Sequence, residues 1–146
     1  MALVVGYDAH SASRAALVFA GDLAGALNVP VHVVHVIDFD MGPLIGASAG
    51  SPNATQQHFD AERQHIGDLL DSGGVQWGYH LVSGDPVDAL LKPADEHAAS
   101  MLVIGRPEQG IGATVGHFVT GAVARNLLRR SHRPVVVVPE FVSSRG

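Results

Sequence analysis

Between Met101 and Pro139 an apolar run, Met-Leu-Val-Ile-Gly, opens into a glycine-rich loop, then a segment of helical periodicity, then a second apolar run, Pro-Val-Val-Val-Val-Pro. Two strands with no polar alternation need cover on both faces, and a helix between them supplies the crossover that parallel pairing requires. The same alternation runs through the whole chain and predicts five strands and four helices in one open parallel sheet of the α/β class, helices on both faces. Ala2–Gly6 reads as the first strand. Ser11–Leu27 reads as a helix capped by Ser11, with Ala15, Ala16, Phe19, Leu23, Ala24 and Leu27 as its apolar stripe and Asn28 as its stop. Val31–Ile37 is the second strand. A loop rich in Gly, Ser and Pro follows, and then a helix from about 54 to 72 carries Phe59, Ile66, Leu69 and Leu70 up to the Gly73-Gly74 pair.

Val75–Val82 alternates as a half-buried third strand, and Ser83-Gly84-Asp85-Pro86 starts a helix that Pro93 is expected to break or kink. Met101–Gly105, a helix around 118–130 and Val135–Val138 complete the pattern. Right-handed crossovers split the helices between the faces and put ligands at the carboxyl ends of the strands.

At 146 residues the chain is expected to form a single domain, 1–146. It is 47% hydrophobic and 16% charged, with a mean hydropathy of +0.21, which predicts that apolar surface is hidden in a core or by self-association. No apolar run is long enough for a bilayer and the first residues lack the features of a signal peptide, so the expected location is cytoplasmic. The absence of cysteine removes disulfides, thiolate metal sites and thiol nucleophiles. A net charge of −5 argues against general nucleic-acid binding. Arg125, Arg129, Arg130 and Arg133 read as a solvated helix end whose cations complement the helix dipole.

The first strand ends in Gly6-Tyr7-Asp8, which places Asp8 to accept hydrogen bonds from a ribose or to close an Asx-turn of its own. Asp8, His10 and Ser11 are too close in sequence to converge as a catalytic triad, and no catalytic residues are assigned. The loop after the fourth strand, Gly105-Arg106 through Gly110, Gly112 and Gly116, can bring bare backbone to an anion. Lys92 is the only lysine and no Walker loop exists. His58, Glu62 and His65 fall on one helix face, but Phe59, Ile66, Leu69 and Leu70 are expected to define the buried side and leave them in solvent. His32 and His35 stand an odd number of residues apart on a strand and face opposite ways. No metal site is assigned.

Six segments together resemble the universal stress proteins: Val4-Val5-Gly6-Tyr7-Asp8 with Ser11, Arg14 and Ala15-Ala16-Leu17; His35-Val36-Ile37-Asp38; Gly84-Asp85-Pro86; Leu102-Val103-Ile104-Gly105; Gly121-Ala122-Val123-Ala124; and Pro134 to Pro139. The resemblance implies a five-stranded parallel sheet, a stress-response sensor or binding module, and a homodimer formed through the last strand, Val135, Val136, Val137 and Val138. It also implies a pocket for ATP or another adenine nucleotide, with Mg as a possible companion. Its lining would be Gly6, Tyr7, Asp8, Val36, Ile104, Gly105, Arg106, Gly110, Gly112, Gly121, Ala122 and Val123. Nucleotide-binding members carry G-x2-G-x9-G-[S/T] after the fourth strand. Here Gly105 begins the pattern, Glu108 replaces its second glycine, Gly121 arrives three residues late and Ala122 replaces the hydroxyl residue. The same fold serves members that bind no nucleotide and act as interaction modules, and at most slow nucleotide hydrolysis would follow from this pocket.

Overall fold

The structure, a computed structural model, describes residues 1–8, 11–37, 52–106 and 121–140. Its strands are β1 (Leu3–Tyr7), β2 (Val31–Ile37), β3 (Trp77–Ser83), β4 (Met101–Arg106) and β5 (Val135–Pro139). The helices are α1 (Ser11–Leu27), α2 (Pro52–Leu70, followed by a 3-10 turn at Asp71–Gly73), α3 (Pro86–Glu96) and α4 (Gly121–Arg130). All five strands pair in parallel in the order β3-β2-β1-β4-β5.

Strand alternation divides the core in two. Leu3, Val5, Tyr7, Val31, Val33, Val103 and Val138 face α1 and α2, where they meet Ala16, Leu17, Ala20, Ile66 and Leu70. Val4, Val34, Val36, Leu102 and Ile104 face α3 and α4, where they meet Val87, Leu90, Ala94 and Leu127. Each fully buried Leu, Ile or Val removes enough apolar area from water to contribute about 1.5–3 kcal/mol.

Of the expected α1 stripe, Ala16 and Ala24 are buried and Ala15 and Leu23 pack against the core, but two residues depart from it. Ala12, Ser13, Ala16, Leu17, Ala20 and Ala24 face inward, while Phe19 and Leu27 are 40% and 48% exposed. Beneath the helix, a Cβ on Gly105 would fall 2.1 Å from the carbonyl oxygen of Ala12. At so close an approach the first turn of the helix admits only the small side chains of Ala12 and Ser13 against the sheet, whereas Leu17, a turn further on, is fully buried. Ser11 is the first helical residue, not a cap before it, and its hydroxyl donates to the Glu140 carboxylate.

Asn28 ends α1 in the left-handed conformation, φ 56°, as its side chain permits. α3 begins as expected, with the Asp85 carboxylate accepting from the Asp88 N–H at 3.0 Å and Pro86 in the first turn. It then continues through Pro93 to Glu96, so the proline leaves one carbonyl without its helical donor and does not end the helix. The arginines at the end of α4 do more than meet solvent. Arg130 pairs with Asp88 at 2.6 Å, and Arg133 binds Asp95 at 2.6 Å and the Ala99 carbonyl at 2.7 Å, tying α4 and the turn after it to α3.

Candidate functional site

In an open parallel sheet the ligand crevice forms where strand order reverses, because the connections leaving neighbouring strands depart to opposite faces. Here the reversal lies between β1 and β4. Their carboxyl ends bring Gly6 and Asp8 beside Ile104, Gly105 and Arg106. Val36, next to the last residue of β2, lies on the same face as Ile104, and Val123 of α4 packs against their cluster. The backbone of Gly121 and Ala122 opens α4, whose first N–H groups and positive dipole end suit an anion. Gly110 and Gly112 lie outside the described residues, as do His10, Glu108, Gly116 and the loop after β2.

Asp8 is partly buried and held from within the chain. Its Oδ1 accepts the Ser13 hydroxyl at 2.8 Å, and its own N–H donates to Ser13 Oγ at 3.2 Å. Ser13 is buried in the first turn of α1, so this reciprocal pair fixes the carboxylate at the mouth of the crevice. The serine that meets Asp8 is therefore Ser13, whereas Ser11 turns to Glu140. Arg106 is exposed, and its carbonyl accepts from Glu140 N–H at 2.8 Å. Gly105 is buried against the start of α1. That contact alone accounts for a glycine at this position, independently of any ligand.

Tyr7 stands apart from the other residues of the set. Its ring lies on the α1/α2 face and its hydroxyl donates to Glu62 at 2.6 Å, leaving only its backbone at the strand end beside Asp8. Burial, with the Glu62 carboxylate alongside, holds that hydroxyl protonated well above its ordinary range. His35 meets the Tyr7 ring edge-on at 5.4 Å and contacts the Tyr79 hydroxyl through Nδ1 at 2.6 Å. Burial lowers the His35 pKa. Glu62 is thus not a solvent residue: it lies three positions after Phe59 and four before Ile66, within the stripe that packs on the sheet. His65 is half-buried beside it, with Nε2 unpartnered among the described residues, while His58 is exposed.

His32 and His35 face opposite sides of the sheet, as their odd spacing requires. His32 nevertheless finds partners, for β3 and the end of α3 bring His80 and His97 against it. Nothing in local spacing announces that group. Only strand register and a helix terminus unite three residues so far apart in sequence.

The profile of the Universal stress protein family matches residues 1–139. Among solved structures, a universal stress protein in complex with cAMP is 26% identical, covers 97% of this chain and 98% of its own, and superposes with a TM-score of 0.67. A universal stress protein family member from Burkholderia pseudomallei is 23% identical over 94% of this chain and 95% of its own, TM-score 0.69. The universal stress protein from Archaeoglobus fulgidus in complex with dAMP is 24% identical over 94% and 97%, TM-score 0.64. No curated protein matches the chain.

Proposed function

The chain belongs to the universal stress protein family, and from that premise we propose that it is a cytoplasmic stress-response module that binds an adenine nucleotide between the carboxyl ends of β1 and β4. The observation that carries this reading is the Asp8–Ser13 pair at the strand-order reversal, which holds a carboxylate where a ribose would offer its hydroxyl groups. Val36 and Ile104 form an apolar wall on one face, suited to the flat, weakly polar face of adenine. Arg106 and the amino terminus of α4 supply positive charge and N–H donors toward a phosphate. Phosphate oxygens and the Asp8 carboxylate together would suit a Mg2+ ion accompanying a triphosphate. The relative with cAMP, alike over nearly its full length, adds weight to an adenine-bearing ligand.

β5 lies at the edge of the sheet and is all apolar from Val135 to Val138. Among the described residues no strand pairs with its outer side, and such an apolar edge favours pairing with a second copy, so the same reading includes a homodimer through β5.

Calorimetric titration of nucleotide-free protein with ATP, ADP, AMP and cAMP, with and without Mg2+, tests the pocket. One nucleotide per chain is expected. The variant Asp8→Ala should weaken every one of these ligands by roughly tenfold, the worth of a charge-assisted hydrogen bond. Absence of heat at millimolar nucleotide would end the reading and leave the chain an interaction module of the same fold.

A further inference from the structure

At the amino-terminal end of the sheet, opposite the crevice, three imidazoles meet. His32 lies on β2, His80 on β3, and His97 caps the carboxyl end of α3. His32 Nδ1 and His80 Nε2 are 3.1 Å apart. The His97 ring stacks on His32 with centroids 3.7 Å apart and planes inclined by 13°, and its centroid lies 5.4 Å from that of His80. One ring nitrogen from each residue falls within 4.8 Å of the other two. Four nitrogen ligands around a tetrahedral zinc ion, at about 2.0–2.1 Å from the metal, stand roughly 3.3 Å from one another. The His32–His80 pair is already near that spacing, and rotation of the half-exposed His97 ring closes the third side.

Two further observations separate this group from chance surface histidines. Among the described residues, none of the three side chains hydrogen-bonds to a carboxylate or a hydroxyl; the only such contact is between the imidazoles themselves. His35, by contrast, is engaged by Tyr79. The strand residue opposite His32 is Gly78, where a Cβ would lie 3.3 Å from His80 Nε2 and 3.6 Å from His32 Nδ1. The missing side chain keeps open the space beside both nitrogens.

We propose that His32, His80 and His97 form a binding site for a zinc-class divalent cation, with three imidazole ligands and the fourth position open to solvent. Neutral imidazole is the form that ligates, and partial burial together with the neighbouring rings lowers the pKa of both His32 and His80. Borderline metals such as Zn2+, Co2+, Ni2+ and Cu2+ suit an all-nitrogen set, whereas Mg2+ and Ca2+ call for oxygen. The bound ion would fasten the end of α3 to the β2–β3 edge. The site lies at the opposite end of the strands from the nucleotide crevice and shares no residue with it.

The experiment is equilibrium dialysis of the untagged full chain against Zn2+ without nucleotide, paired with Co2+ absorption spectroscopy. One Zn2+ per chain is expected, and Co2+ should give the intense visible bands of a tetrahedral site. His97→Ala, at a half-exposed helix end where folding is not at stake, and His80→Ala should each lower the affinity by about tenfold or more and abolish the cobalt bands. His58→Ala should leave both unchanged. Absence of stoichiometric Zn2+ binding by the wild-type chain, or binding and bands retained in His97→Ala, would overturn the proposal.

Discussion

His32 and His35 sit three residues apart on β2, yet they occupy different kinds of environment. His35 lies on the α1/α2 face, buried, with a tyrosine hydroxyl at 2.6 Å and aromatic edges from Tyr7 and Phe59. His32 lies on the other face, half-buried, in contact with two more imidazoles. A histidine whose ring is engaged by fixed hydroxyl and aromatic partners serves the core. One that meets only other lone-pair-bearing rings has coordination capacity to spare. The glycines follow the same division: Gly105 on the α1 side abuts immovable backbone, whereas Gly78 on the α3 side abuts histidine rings that can turn.

The sharpest way to break the comparison is Gly105→Ala. A methyl group 2.1 Å from the Ala12 carbonyl oxygen forces α1 off the sheet, and a loss of about 3 kcal/mol or more is expected from urea unfolding. Acidification comes next. The folded-state pKa of His35 is depressed, first by burial and then by His58, against the opposing pull of Glu62 and Asp8. The unfolded chain therefore binds the proton more readily, and the contribution of this site, complete above about pH 6.5, is lost as pH falls toward the folded-state value. The urea midpoint should decline between pH 7 and pH 5, and less steeply in His35→Gln. An unchanged slope would remove His35 from the account.

Tyr7→Phe deletes the hydroxyl that donates to Glu62 at 2.6 Å. Loss of a partly buried bond to a carboxylate should cost roughly 1–3 kcal/mol in unfolding free energy. The smallest stability effect is expected on the α3 side. In Gly78→Ala the new methyl meets side chains at 3.3 and 3.6 Å, so the rings shift, unfolding changes by less than about 1 kcal/mol, and the effect instead appears as weakened Zn2+ binding. A large stability loss there would make Gly78 and its histidines a packing unit.

β1, β4 and β5 were readable as apolar runs, the composition that burial on both sheet faces demands, and β3 was readable from its alternation as a half-buried strand. Asp8 was readable for a similar reason, since it follows an apolar strand directly and must lie at its end. The face of α1 was readable in part. The inward places of Ala12 and Ser13 depend on how closely the Gly105 backbone approaches the helix, which helical periodicity does not encode. The fate of Glu62 was obscured in the same way, because its inward turn depends on a tyrosine fifty-five positions away.

By itself the amino-acid sequence determined the α/β class and the parallel sheet, which follow from local periodicity and from which residues must leave water. Tertiary structure alone decided that Ser13 holds Asp8, that Glu62 turns inward to Tyr7 and that three scattered histidines meet. Each depends on strand register and interlayer distance, which no local pattern encodes.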